Sequence, residues 1–585
     1  MRLTDKYILF WSGVFGNFHP CTIAYDGYLF PSSEQLFMYL KAKAFGDDDC
    51  AMLIAVTTSP KEAKVLGRSV NGFDEEVWID KREGCMEVAL YEKFSQNSDL
   101  KTVLLSETYK DKQFVEASPY DTIWGIGINE DDPNADNSDM WRGENLLGRC
   151  LDKVRERILI EESGTLGKIF YQRANNPRFN TSYPIYRSDW KGYKTDKELE
   201  FSSSELSLYI HIPFCRKLCK FCEYVKYKCG DNSHAAELKY LKMVESEIND
   251  FIQHSPKYTL RGFDIGGGTP TALSDSNFER LINIYRSTLD RCNIAEGFMP
   301  SIEATFNTIT RAKAKLIADA GIKRISFGMQ TMDADILADN QRINATLEQM
   351  KSVFAMCLEC GIAVINIDLM YGFASQTGQA IDATLDIIEQ LQPEHLTLYE
   401  LRTNMLNGYN VASKEVLFEQ YTQLYDRVKL LGYCGKFGQN TFSRLGDMGL
   451  SSYLYARMID NIPYRGFGIA AQSKNEQGIM YNVGKSHKPL GEILKMGRIA
   501  SEDIYFLPPV ESLSKYIAIS GYCGFFRLSI AERIIGRDPR EVFENELKFL
   551  LSLEYISIEG DKVRISSKGF KYYGAILSMF YLNVN

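Results

Sequence analysis

The chain has 585 residues, 45% of them hydrophobic and 24% charged, with a formal net charge of -9. Such a length suggests roughly three or four domains, and the acidic balance argues against a broad nucleic-acid surface. No apolar run is long enough to span a bilayer, and the N-terminus lacks the basic-then-apolar pattern of a signal peptide, so a cytoplasmic protein without a membrane partner is expected. Thirteen cysteines are too few for a disulfide scaffold, and a reducing compartment would keep them as thiols.

Residues 1–162 read as one α+β unit. It closes on a helical pattern with Leu146, Leu147, Leu151, Val154 and Ile158 at helical spacing. Residues 163–204 are polar, rich in Asn, Ser and Tyr, and poorly periodic, which predicts a linker whose aromatics can pack along a neighbour. From 205 to 440 strand and helix alternate, with strands over 206–212, 262–267, 300–306, 324–330, 363–372 and 395–401. This pattern predicts a parallel sheet, an α/β partial (β/α)6 barrel with its chemistry at the C-terminal ends of the strands. Residues 441–585 form a C-terminal extension. Its tail, EVFENELKFLLSLEYISIEGDKVRISSKGFKYYG, reads helix, strand, turn at Glu559-Gly560-Asp561, strand and helix, a winged-helix-like pattern.

In the front unit, PSSEQ opens a helix, with Ser32 at the N-cap and Gln35 placed to complete a capping box. Glu34 falls in the first turn, where the helix dipole favours a carboxylate. Facing a pocket, it suits a base, a nucleophile or a cation stabiliser; alone, it is more often just a helix-starting glutamate. Further along come AKVLGR (63–68), Trp78, KFSQNSDLKTVLLSET (93–108), EASPYDTIWGIG (116–127) and WRGENLLG (141–148). In this order they resemble the NADAR family. The resemblance covers about residues 8–160 and implies hydrolysis of an N-glycosidic bond, as in riboflavin-pathway intermediates or ADP-ribosylated bases. It places Glu34 at the family's catalytic-type glutamate, Asp121 and Trp124 in its D-x-x-W-G segment, and Trp78 and Asn145 at pocket positions. Lys43 and Arg68 could meet phosphate, although each basic residue alone is more often a solvated face or part of an ion pair. Breaking such a bond builds oxocarbenium charge, which carboxylates stabilise, and tryptophans offer a base a flat face. The acidic NEDDPNADNSDM (129–140) reads as a solvated loop.

In SLYIHIPFCRKLCKFCEY, Cys215, Cys219 and Cys222 crowd into eight residues. A structural zinc needs a fourth ligand, and His211 or Cys229 at this spacing suits neither finger nor ribbon. Three thiolates on one loop would instead hold a cubane iron–sulfur cluster and leave one iron without a protein ligand. Cys-x3-Cys-x2-Cys after a first strand is similar to the radical S-adenosylmethionine (SAM) signature. YIHIPFCRKLCKFCEY looks more narrowly like the coproporphyrinogen III dehydrogenase-like branch. The resemblance covers roughly residues 206–583 and implies a [4Fe-4S] cluster held by Cys215, Cys219 and Cys222. It implies SAM held by Tyr209, by Gly266, Gly267, Gly268 and Thr269 of GGGTPT, and by Glu303, Gln330, Arg342 and Asp368. It also implies an electron donor such as flavodoxin or ferredoxin, and members of the branch bind a second SAM, which leaves methyl transfer open. Three departures count against porphyrin oxidation and a heme-chaperone role. Tyr224 stands where the dehydrogenases carry a further cysteine, GFASQT replaces a GLPGQT-like segment, and RGFGIAAQSKN lacks a histidine. Cys357 and Cys360 of CLEC read as packed thiols.

The expected protein is a bifunctional enzyme: an N-glycosidase acting on a nucleotide-like small molecule, joined to a radical SAM enzyme. The alternatives are a front unit that only binds an ADP-ribose-like ligand, and a rear unit that is heme-chaperone-like.

Overall fold

The computed structural model describes residues 1–230, 232–253, 257–401, 411–486 and 488–583. The chain divides into two compact units, residues 1–171 and 172–585. No helix among the described residues is long and apolar enough to cross a membrane.

In the first unit the strand Tyr7–Phe10 pairs in parallel with Gln113–Glu116 and antiparallel with Arg2–Leu3. All four of its residues are buried because both faces are covered. Alternate side chains point to opposite faces: Ile8 and Phe10 enter the main core, while Tyr7 and Leu9 enter a smaller cluster with Val115, Ile126 and Ile128. Helices Ser33–Ala44, Glu75–Gln96 and Leu146–Glu162 supply much of the main core, joined by residues such as Ile54 and Ala63 of two shorter helices. Ser32 caps the first of these, its side chain accepting the Gln35 N–H (3.3 Å). The capping box does not form. Gln35 points inward, and its Nε2 donates to the carbonyls of Ile54 and Thr57 (2.8 and 2.6 Å). Those carbonyls sit at the C-terminal end of helix Asp48–Val56, where no helical N–H reaches them.

The second unit is framed by a 13-stranded sheet. Six of its strands run parallel in chain order: Glu205–Ile212, Thr259–Gly267, Ser301–Ala304, Arg324–Gln330, Val364–Tyr371 and His395–Glu400. Alternation gives this sheet two different faces. Leu208, Ile210, Phe263, Ile265, Ile302, Ile325, Phe327, Ile365, Ile367, Leu396 and Leu398 join the apolar core. The intervening positions carry Tyr209, Asp264, Glu303, Arg324, Ser326, Asp368 and Thr397. Tyr464–Phe467 adds in parallel beside Glu205–Ile212, and Gln472–Lys474, Gly478–Asn482 and Ser501–Phe506 follow antiparallel. The extension expected from residue 441 therefore begins inside the same sheet. A separate three-stranded sheet, in the order Phe525–Arg527, Lys562–Ile565, Ile556–Glu559, is flanked in sequence by helices Leu528–Ile535 and Glu544–Ser552.

The segment expected as a linker is largely ordered. Helix Thr165–Ala174 opens it, and Lys194–Thr195 pairs with Ser501–Phe506 at the edge of the large sheet. Its aromatics explain the order. Tyr183 and Trp190 are buried, and Tyr183 Oη and Trp190 Nε1 both donate to Glu511 Oε2 (2.8 and 2.8 Å). Glu511→Ala leaves two buried donors without an acceptor, a loss of about 2 kcal/mol or more by the cost of unmet buried hydrogen bonds. The expected result is a lower urea midpoint and faster proteolysis between residues 175 and 204.

Two candidate active sites

In the first unit, Glu34 is 4% exposed. Its backbone N–H donates to the Asn17 carbonyl (3.0 Å), and Ser33 Oγ donates to the backbone and side-chain oxygens of Asn17 (3.2 Å each). Lys93, fully buried on helix Glu75–Gln96, donates from Nζ to the Gly16 carbonyl (2.9 Å) and so pins the loop that carries Asn17. Burial outweighs the helix dipole and pushes the Glu34 carboxyl above the usual range. Lys64, with Nζ 3.8 Å from Oε1, opposes that push, and Asp121 adds to it.

Glu116 ends the strand Gln113–Glu116 beside this group. Its Oε2 is buried and has no hydrogen-bond partner among the described residues. Burial, with the nearby charges of Asp121 and Glu34 adding to it and Lys64 opposing it, pushes its carboxyl up to about 8. The backbone of Glu116 is clamped on both sides: its N–H donates to Asn145 Oδ1 (2.9 Å), and its carbonyl accepts the Ile126 N–H (2.9 Å). Asn145 Nδ2 also donates to the Phe114 carbonyl (3.0 Å), so this residue sets the position of the strand end. Asp121 Oδ1 accepts the N–H groups of Ile123 and Trp124 (2.9 and 2.7 Å), fixing the turn that presents Trp124. Phe37 stands between Trp78 and Trp124, with ring centroids 5.5 and 5.2 Å away. Lys43 is exposed and turned to Asp48 (2.6 Å), and Arg68 is exposed at the end of helix Pro60–Arg68.

In the second unit the polar face of the parallel sheet is tied together by hydrogen bonds. Arg324 Nη1 donates to Ser301 Oγ (3.0 Å), Asn366 Nδ2 to Ser326 Oγ and Asp368 Oδ1 (2.8 Å each), and Ser326 Oγ to Asp368 Oδ2 (3.2 Å). Above this layer Glu303 Oε2 accepts the Gly267 N–H (2.8 Å). Burial pushes Glu303 up to about 8 against that bond, with the charge of Asp368 adding to the rise. Tyr209 stacks on Tyr453 with ring centroids 5.6 Å apart. Gln330 has φ 72°, and its Oε1 is buried without a partner. The cysteine loop closes over these groups. Thr269 Oγ1 lies 3.7 Å from Cys215 Sγ as a donor, and Arg342 Nη1 donates to Cys219 Sγ (3.5 Å). Arg342 Nη2 donates to the Gly328 carbonyl. Gly267 has φ 113°, a backbone that side-chain residues rarely adopt, and a Cβ on Gly268 would stand 3.0 Å from Cys215 Sγ. Tyr224 is 58% exposed.

Residues 9–159 match the NADAR domain profile, and residues 209–388 match that of the radical SAM superfamily. Protein irg-1 of Caenorhabditis elegans is 39% identical over 173 residues, 26% of this chain and 81% of that protein. The chain joins a NADAR domain to a radical SAM domain. The radical SAM part is similar to heme chaperone HemW of Bacillus subtilis, 27% identical over 370 residues, 62% of this chain and 96% of that one. Its fold is that of coproporphyrinogen III oxidase (HemN) from Escherichia coli, with a TM-score of 0.55 at 21% identity, covering 66% of this chain and 92% of that one.

Membership of the radical SAM superfamily implies a [4Fe-4S] cluster and SAM, and the donor set fits both. Cys215, Cys219 and Cys222 are free thiols. Among the described residues, the only three ligand groups within 4.8 Å of one another are Glu83, Glu87 and Cys150. The three loop thiols are therefore spread wider than ligands around one zinc ion. The unpartnered Gln330 Oε1 offers an acceptor to a bound molecule. Glu116, Phe37, Lys64 and Lys93 were not singled out as site residues from the sequence. Glu116 opens the quoted EASPYDTIWGIG, but only its burial beside Glu34 marks it. Reconstitution with iron and sulfide should load about four irons per chain, as a cubane cluster requires. Cys219→Ala should lower iron content to near background, measured by iron analysis and visible absorbance.

Proposed function

We propose that the protein is a bifunctional enzyme. Its NADAR unit hydrolyses an N-glycosidic bond in a nucleotide-like or ADP-ribose-like molecule, and its radical SAM unit carries out SAM-dependent radical chemistry. The Glu116 carboxyl, with its buried and unpartnered Oε2 beside Glu34, carries the first half.

Held up to about 8, Glu116 keeps its proton at neutral pH and gives it to the departing base nitrogen. Glu34, lowered from its buried value by Lys64, takes a proton from the attacking water. Asp121 adds negative charge where the sugar becomes an oxocarbenium ion. Phe37, Trp78 and Trp124 give the base an aromatic wall. Activity should rise as pH climbs through the Glu34 carboxyl and fall through about 8 as Glu116 ionises. Glu116→Gln should remove the alkaline limb, and Glu34→Ala should cut base release by about 100-fold or more, the scale of a lost acid–base group. If base release from a panel of nucleotide-like substrates is unchanged in Glu34→Ala, the hydrolytic reading fails and the front unit is a binding module.

In the radical SAM unit, the bound cluster and SAM supply a means of removing a hydrogen atom from an unactivated carbon. The chain's own groups hold and orient. Cys215, Cys219 and Cys222 anchor the cluster, and the glycine segment leaves its backbone open to SAM. Glu303, Gln330, Arg342 and Asp368 present polar contacts, and Tyr209 covers one side. The strand order supports a partial (β/α)6 barrel, and the three-stranded sheet near the C-terminus supports a winged-helix-like tail. Flavodoxin or ferredoxin fits as the electron source. Under anaerobic conditions the reduced, loaded chain should release 5′-deoxyadenosine from SAM, and Cys219→Ala should not. The similarity to HemW favours a second reading, heme carriage. It predicts stoichiometric heme binding by the reconstituted chain without release of 5′-deoxyadenosine.

A further inference from the structure

One part of the radical SAM unit differs in charge from the carboxylate-rich strands it adjoins. It is built from helix Ser452–Met458 and strands Tyr464–Phe467, Gln472–Lys474 and Gly478–Asn482. Arg457 Nη2 donates to Gln472 Oε1 (3.1 Å), a neutral amide. Its guanidinium lies 4.8 Å from the Tyr464 ring centre and 6.0 Å from that of Tyr453. Its Nε is buried with no acceptor. Lys474, on the same face of its strand as Gln472, is 6% exposed and donates from Nζ to Asn461 Oδ1 (2.6 Å), again neutral. Burial pushes Lys474 down to about 8; Glu476 opposes the fall, and the charges of Arg457 and Arg533 add to it.

Neither cation has a paired carboxylate among the described residues. The amide that holds Arg457 cannot turn to suit it better. Gln472 Oε1 also accepts from Tyr464 Oη, and Gln472 Nε2 donates to Tyr481 Oη (2.7 Å). Tyr464 and Lys474 lie on the same face of the sheet as Tyr209, since Tyr464 pairs with Lys474 and Gly466 with Tyr209. A Cβ on Gly466 would lie 2.4 Å from the Gln472 carbonyl, so no side chain fits at that position. The charge of Arg457 reaches both Tyr209 and Tyr224. Arg457 is half-buried and also hydrogen-bonds the side chains of Tyr453 and Tyr464, but its buried Nε–H left without an acceptor is costly. Its donor fork matches the paired oxygens of a carboxylate or phosphate.

We propose that Arg457 and Lys474 form an oxyanion subsite, and that the molecule on which the radical SAM unit acts seats a carboxylate or phosphate there, with its flat part against Tyr209 and Tyr453. The substrate role rests on the radical SAM reading above; the anion site does not.

The test uses the reconstituted full chain with inorganic phosphate and succinate as separate probes. Phenylglyoxal labelling of Arg457 is read by peptide mass spectrometry, which separates this site from any anion bound by the NADAR unit. At least one probe should slow labelling of Arg457 by fivefold or more, and the stronger probe tells phosphate from carboxylate. By calorimetry, Arg457→Gln should weaken that probe at least tenfold, Lys474→Met less, and Arg457→Lys should restore part of the loss. Labelling of Arg457 that is indifferent to both probes overturns the proposal even if Arg457→Gln fails to fold. A chain that cleaves SAM but shows no protection sinks the subsite alone. Protection without any SAM cleavage sinks the radical reading alone.

Discussion

The rear unit depends on one constraint: the inner face of its parallel sheet is polar and shielded from bulk water. Charged groups in such a place are costly unless each meets a partner. Arg324 answers Asp264 and Asp368, and Ser301, Ser326 and Asn366 fill the spaces between them. This lower layer is satisfied and therefore rigid. Near the strand ends the satisfaction stops. Gln330 Oε1 and Arg457 Nε have no partner, and Glu303 is held at an elevated protonation threshold by burial. A bound molecule can add hydrogen bonds only where the polar layer is incomplete.

The NADAR unit solves a related problem on a smaller scale. Three carboxyls and one lysine gather near the start of a helix, and burial raises two of them, Glu34 and Glu116. Lys64 opposes that rise for both, and most directly for Glu34, whose Oε1 lies 3.8 Å from its Nζ. Two chemically identical groups are thereby held in different surroundings. The supports are backbone devices: Asn145 clamps the strand end, Asp121 fixes a turn, and Lys93 pins the loop of Asn17.

Motifs with fixed spacing were legible in the sequence. The cysteine loop, GGGTPT and the alternating β and α pattern led to the strands that the structure contains, because alternation and glycine placement are local properties. The helix cap at Ser32 was legible for the same reason. The capping box was not, because the carbonyls of Ile54 and Thr57 compete for Gln35 and come from another helix. Glu116 and Arg457 were illegible because nothing nearby in sequence marks them. One is distinguished by an empty oxygen, the other by the carboxylates it lacks, and both are properties of assembled surroundings. The polar segment before residue 205 misled through composition. Its few aromatics, Tyr183 and Trp190, outweigh its many polar residues once Glu511 receives them.

That segment has a bearing on the behaviour of the whole sheet. Lys194–Thr195 forms its outermost strand on one side, only two residues long and carrying an ion pair from Lys194 to Asp503 (2.7 Å). A sheet margin with a long row of open amides is a template for other chains. Here that margin ends in a short, charged fragment drawn from the sequence just ahead of the catalytic unit. The stretch of sequence that joins the NADAR and radical SAM units thus also blunts the edge along which one copy of the protein would otherwise add to another.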